Sequence, residues 1–359
     1  MHRIPLAAAT LGLSASAAFA AGVERSPQSV GILFEDGNYG EVTFGLLRPD
    51  VTGEDPAGNR SGDMASSFTT ARAGFKLDID DRFDVALIVD EPIGADTAYP
   101  LGTGYPLQGT RAELDSVGVT GIVQYRFDER ISVHGGLRGV RTEGGVQNLL
   151  GIYDLQTSRE ADLGFLLGAA YEIPGIALRV SLTYNSEITH DFTATETVDG
   201  TQPPRSDFST TIPQSVNLEF QSGIAEDTLV FGSVRWVDWS AFDITPDAYT
   251  TTVDPGNALV DYAGSATTVN LGIGRQLDEN WALAGALHYD TGTGGEAGNL
   301  QPVDGSRGAS VSAQFSEGGV QIGGTLRYDR FDTVTTRQIN AEFADNSAWR
   351  GGVSIGYSF

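Results

Sequence analysis

The 359-residue chain contains no cysteine, so neither a disulfide framework nor a thiolate metal site is open to it. Stability must come from burial and backbone pairing. Basic residues are few: 22 Lys+Arg stand against 47 Asp+Glu, and a formal charge of -25 argues against a nucleic-acid partner. Histidine is scarce too. Of the 4 present, His2 falls in the leader, and nothing around His134, His190 or His288 marks a nucleophile's environment, so no enzymatic activity and no cofactor is expected. Long apolar runs are missing after the leader, since no window approaches the roughly 18 consecutive apolar residues of a membrane helix. The leader itself, "MHRIPLAAATLGLSASAAFA", has a basic start, an apolar stretch, and Ala18 and Ala20 in an A-x-A pattern. It reads as a secretory signal over residues 1–20, with the mature chain beginning at Ala21.

What the chain does have is alternation. In "LVFGSVRWVDWSAF" (residues 229–242), Val230, Val234 and Trp236 share one face with Gly232, while Phe231, Ser233 and Arg235 share the other. Apolar and polar rows at period 2 mark a strand with a different solvent on each side. The pattern recurs in "VGVTGIVQYRF", "IALRVSLTYN", "NWALAGALHYD", "GVQIGGTLRYD" and the final "GVSIGYSF". It fails after Trp236, where Trp239 lands on the face of Arg235, so the strand is expected to have left the bilayer there.

A soluble sandwich would alternate as well, but three features favour a transmembrane barrel. Apolar rows end in aromatics such as Tyr125, Phe127, Tyr289, Tyr328 and Phe359, as interfacial belts require. The polar face carries Arg, Glu and His too often for a packed core, whereas a wet lumen accepts them. Connections also alternate in length. Short turns such as "DIDDR", "DER" and "LDEN" separate long polar loops around residues 50–63, 91–111, 144–156, 190–207, 243–260, 290–304 and 331–346. The expected fold is therefore all-β, a transmembrane antiparallel barrel of about fourteen strands over residues 39–359, with a short N-terminal plug segment at 21–38 and both termini in the periplasm.

Two stretches carry a family resemblance. "IPQSVNLEFQSGIAEDTLVFGSVRWVDWSAFD" (residues 212–243) resembles a hairpin of the FadL/TodX family of outer-membrane hydrophobe transporters, and "LGIGRQLDENWALAGALHYD" (residues 271–290) is similar to the hairpin that follows. The terminal "GYSF" fits a barrel-closing strand. The resemblance implies a fourteen-stranded barrel plugged by an N-terminal hatch, passing long-chain fatty acids or other hydrophobic molecules inward. One departure stands out: "AGVERSPQSVGILFEDGN" is shorter than the family's usual hatch and lacks its Asn-Pro-Ala signature.

Candidate binding residues fall into two groups. Inward cations Arg126, Arg138, Arg179, Arg235 and Arg327 offer a bidentate fork to a substrate carboxylate. Pairing with lumenal acids such as Glu219, Asp290 and Asp329 is the blander reading and the favoured one. The run Leu149, Leu150, Ile152 and Tyr153 forms the most apolar external loop, either a surface site that captures a greasy molecule or a loop folded back over the barrel. Pro92 cannot donate to a ladder and marks a strand end or a break in the wall, and a break would permit lateral escape. Acidic loop stretches such as "TGED" have no metal-ligand spacing, so no metal is assigned.

The expected function is passive uptake of hydrophobic small molecules such as long-chain fatty acids through the outer membrane of a Gram-negative bacterium. The alternative is a water-filled porin for small polar solutes. A structural or adhesive barrel is a third reading. Expected partners are a hydrophobic ligand, outer-membrane lipid and lipopolysaccharide, with the chain acting as a monomer.

Overall fold

The computed structural model describes residues 23–359, and the leader read at 1–20 lies outside them. Strands dominate because the period-2 pattern holds for most of the chain. They are β1 (Tyr39–Asp50), β2 (Phe68–Asp78), β3 (Phe83–Asp90), β4 (Arg111–Arg126), β5 (Ile131–Leu149), β6 (Glu160–Ile173), β7 (Leu178–Asn185), β8 (Ser215–Ala225), β9 (Thr228–Val237), β10 (Ala266–Gln276), β11 (Trp281–Asp290), β12 (Asp304–Glu317), β13 (Val320–Asp332) and β14 (Ser347–Ser358). Each pairs antiparallel with the next, and β14 closes on β1 from Ser358 opposite Tyr39 to Ser347 opposite Asp50. The result is a closed barrel of 14 strands with no free edge. Four further segments, Ala95–Ala98, Tyr153–Thr157, Ile188–Val198 and Ser206–Ile212, prolong β3, β6, β7 and β8 beyond kinks at the long-loop end.

The outer face is oily. Leu163 is 74% exposed and Leu287 67%, part of a belt too extensive for a surface in water. Aromatic contacts rim the belt at both ends: Phe83, Tyr125 and Phe127 at the short turns, Tyr328 and Trp349 towards the long loops. The inner face buries polar side chains instead, among them Lys76, Asp84, Gln124 and Arg350. As the sequence suggested, β9 ends at Val237 and Trp239 opens a short 3-10 turn, buried with Phe242 and packed against the partly buried Tyr262.

Residues 23–38 run through the lumen. Val30, Ile32 and Leu33 bury against Ala86, Ile88, Ile122 and Leu166, apolar side chains that β3, β4 and β6 turn inward to receive them. The upper part is held by polar bonds: Ser29 Oγ donates to Glu219 at 2.6 Å, Asn217 Nδ2 donates to the Pro27 carbonyl at 3.0 Å, and Ser26 Oγ donates to Asp90 at 2.6 Å.

Two of the regions read as loops are largely strand. Pairing in β5 continues to Leu149 and resumes at Tyr153, and residues 190–207 mostly form a hairpin in which Ala194 opposes Ser206. Alternation survives there because these strands rise above the bilayer with one wet face.

Candidate functional site

Above the membrane belt the alternation changes sense. In Ile188–Val198 the side chains of Ile188, His190, Phe192 and Ala194 turn inward while Thr189, Asp191, Thr193 and Thr195 face out. Phe208, Thr210 and Ile212 likewise point in against outward Asp207, Ser209 and Thr211. At the top of β4, Ala112 and Leu114 point in while Arg111, Glu113 and Asp115 point out. Water now surrounds the wall, so the polar row faces outward and the apolar row lines the interior.

These inward rows enclose a cavity of about 760 Å³, its opening included. Phe192, Phe208, Ile212 and Leu155 form one side, Phe242, Ile244, Leu259 and Leu300 fold over from distant loops, and Val23 closes it from the N-terminal segment. The lining carries few polar groups. His190 sits between Asp162, which its Nδ1 meets at 2.7 Å, and Thr142 Oγ1, 3.2 Å from Nε2. With Asp162 accepting from Nδ1–H, Nε2 is left to accept from the threonine hydroxyl. Thr97 Oγ1 donates to the Leu300 carbonyl at 2.6 Å, which ties the β3 extension to the 300 loop.

The apolar loop of the sequence reading divides in two. Leu150, 44% exposed, and Ile152 stand at the hairpin tip facing solvent, whereas Leu149 and Tyr153 are buried. Tyr153 hydroxyl donates to Glu196 at 2.8 Å, and the same carboxylate accepts from the backbone N–H groups of Ala248 and Tyr249, both at 3.0 Å. This anchor seats the short helical turn Tyr249–Val253 over the barrel mouth.

The expected arginines lie lower, and none lines the apolar cavity. Arg138 donates to Thr120 and Asn185, at 2.9 and 3.2 Å. Arg179 bonds Gln221 at 3.0 Å and stacks over the Phe34 ring. Arg327 pairs with Asp329. Arg235 pairs with Glu24, its Nε at 2.9 Å, and donates to Ser215 and Asn217 as well. Pairing with lumenal acids, the blander reading, describes Arg126, which bonds Asp84, and Arg327; the Glu24 partner of Arg235 comes from the N-terminal segment, which the strand pattern does not locate. Burial pushes the Glu24 carboxyl above its ordinary range despite the guanidinium beside it. Glu35, near the periplasmic end, is raised to about 7 by burial first and by the Glu41 carboxylate second.

The wall is interrupted beside Pro92. β2 pairs with β3 only from Asp78 opposite Asp84 to Ala73 opposite Val89. Beyond Asp90 the chain steps inward through residues 91–94 and rejoins β4 at Ala95 opposite Leu114, one residue longer than its partner, as in a bulge. Pro92 has no N–H to leave unpaired, and its carbonyl accepts from Arg25 N–H at 3.0 Å. Gly94 leaves room for the Arg25 guanidinium, which a Cβ there would force to shift. Arg25 pairs with Asp96 and Glu91 and lies 4.2 Å over the Phe68 ring. The opening, about 930 Å³ of space outside and within the wall, is framed by lumenal Arg25 and Ser116 and by membrane-facing Leu46 and Val117. A second space of about 470 Å³, its opening included, lies between the two, sharing Ala95, Thr97 and Leu300 with the apolar cavity and Phe68 and Asp96 with the opening.

A family model described as outer membrane protein transport protein (OMPP1/FadL/TodX) matches residues 15–299. No curated protein sequence matches the chain. Among solved structures, a Pseudomonas aeruginosa FadL homologue superposes with a TM-score of 0.73 at 14% identity, over 92% of each chain. The toluene transporter TodX of P. putida gives 0.63 at 12% identity, over 90% of this chain and 91% of that one. TbuX, a toluene transporter of Ralstonia pickettii, gives 0.60 at 14%, over 91% and 90%. At such identities the structures speak for the fold.

Proposed function

The chain belongs to the outer-membrane transport protein family of OMPP1, FadL and TodX, which makes it a transporter of hydrophobic compounds in the Gram-negative outer membrane, and we propose that its solute leaves sideways through the wall. A hydrophobe meets exposed Leu150 and Ile152 at the hairpin tip, settles in the apolar cavity, and passes by way of the second cavity to the opening beside Pro92. From there it diffuses into the bilayer. The observation that carries this reading is the run of three adjoining spaces ending at a frame of both lumenal and membrane-facing residues. Movement down a gradient needs no catalytic group and no energy coupling. The exposed apolar belt is solvated by outer-membrane lipid and lipopolysaccharide, and the chain works as a monomer.

A long-chain fatty acid, the solute implied by the resemblance, suits the cavity by its acyl chain, but its carboxylate would find no cation among the lining residues and would stay at the opening. The porin alternative loses support because residues 23–38 occupy the lumen. The test is Ser67→Trp, which fills the opening from its rim. It is expected to abolish uptake of a fluorescent hydrophobe by cells while leaving equilibrium binding to the purified barrel intact. Undiminished uptake would mean that the solute leaves through the lumen.

A further inference from the structure

We propose that the apolar cavity selects an uncharged hydrophobe bearing one hydrogen-bonding oxygen, held at the Thr210 hydroxyl. The inference rests on the uptake reading and narrows the solute class of the same cavity. Thr210 Oγ1 is buried, lines the cavity and has no hydrogen-bond partner among the described residues. Its side chain stands opposite His190 and between inward Phe208 and Ile212 on its own strand. A buried hydroxyl without a partner costs roughly 1–3 kcal/mol, and valine has the same shape without that cost. The site therefore spends stability on a polar atom that a guest can satisfy.

The neighbouring polar groups are engaged within the protein. His190 is spanned by Asp162 and Thr142, Thr97 donates to the Leu300 carbonyl, and Thr157 bonds the Gly144 backbone. The one formally charged residue of the lining is Glu113, whose side chain points outward, and no Lys or Arg is present. A carboxylate guest would be desolvated without a cation. A bare alkane would leave Thr210 unpaired. A long-chain alcohol, ketone or ester satisfies both conditions.

Dodecan-1-ol, dodecane and dodecanoate at pH 8 compete with a bound fluorescent hydrophobe on the full detergent-solubilised chain, in wild type, Thr210→Val and Thr210→Ser. The ratio of wild type to variant cancels each probe's partition into micelles. Thr210→Val is expected to weaken dodecan-1-ol about tenfold, the effect of losing about 1.4 kcal/mol, with dodecane unchanged. Thr210→Ser keeps the alcohol preference. Retained dodecane binding shows that the variant is folded. Equal losses for alcohol and alkane, or dodecanoate binding most tightly, overturn the inference and leave the uptake reading standing. Absence of saturable binding by any of the three overturns both.

Discussion

Arg235→Met tests how the N-terminal segment is seated. The substitution removes the guanidinium that bonds Glu24, and no other hydrogen-bond or ion-pair partner of that carboxylate is found among the described residues. A buried carboxylate stripped of its partner costs about 3–5 kcal/mol, unless it takes up a proton. Protonation sets a ceiling. At 1.36 kcal/mol per pH unit above an ordinary pKa of about 4.3, holding Glu24 neutral costs about 3.7 kcal/mol at pH 7, about 5 at pH 8 and about 1 at pH 5.

Opposing that cost are the bonds seating residues 23–26. Gly94 N–H to the Val23 carbonyl and Arg25 N–H to Pro92 are neutral bonds of about 1 kcal/mol each, and Ser26 to the Asp90 carboxylate adds about 1.5–3. The pairs of buried Arg25 with the partly exposed Glu91 and Asp96 contribute about 1 more. The two sides are comparable at pH 8 and far apart at pH 5. Val30, Ile32 and Leu33 hold the lower half in either case, at about 1.5–3 kcal/mol for each buried side chain. Arg235→Met in planar bilayers should therefore show flickering ion current at pH 8 and almost none at pH 5, and Glu24→Gln/Arg235→Met should be quiet at both. A folded Arg235→Met barrel that is as silent as wild type at pH 8, or equally open at both pH values, would refute the reasoning.

Three further outcomes are expected. Glu35, whose carboxyl is raised from 4.5 to about 7 by burial, stabilises the seated segment fully below its ordinary pKa, and that contribution is lost as pH rises through about 7. Amide exchange of residues 31–38, corrected for intrinsic rates, should accelerate between pH 5 and pH 8 in wild type and show no such step in Glu35→Gln. Glu196→Ala leaves the Tyr153 hydroxyl and the Ala248 and Tyr249 N–H groups without their acceptor, at about 1–3 kcal/mol each. Protease nicking within residues 247–257 should appear, with at least tenfold weaker hydrophobe binding, and an intact loop would remove the anchor role. Leu150→Asp should slow association of a fluorescent hydrophobe in stopped flow and leave dissociation unchanged. An unaltered on-rate would show that capture happens elsewhere.

The barrel was legible because two solvents impose a period of 2 on every stave. Val119, Val123 and Tyr125 against Thr120 and Gln124 already state which side is oil, and the short turns state how the staves connect. The cavity was not legible by the same rule, because its rows obey the rule with the sign reversed. "ITHDFTATETV" and "SDFSTTI" alternate as cleanly as any membrane strand, yet their apolar members point in. Read for polarity alone they look like loops. Read for the sense of the alternation, they mark the height at which the barrel leaves the bilayer. Phe242, Leu259 and Leu300 gave no comparable signal, since only the folding-over of long loops brings them against Phe192 and Phe208.

That reversal also bears on the arginines. A cation on a membrane-zone strand points into the lumen, so Arg138, Arg179, Arg235 and Arg327 were correctly sided by the pattern. The apolar rows, however, begin above them. Carboxylate recognition by these residues and burial of an alkyl chain by Phe192 and Phe208 belong to different heights of the same barrel, separated by Val23 and the bonds of residues 24–29. A solute held in the cavity cannot reach Arg235 without displacing Glu24 from it, and the opening beside Pro92 lies on the path that avoids doing so. On the proposed sideways route, the same segment that occupies the lumen would direct a hydrophobe towards the membrane, which is where its low solubility in water would send it.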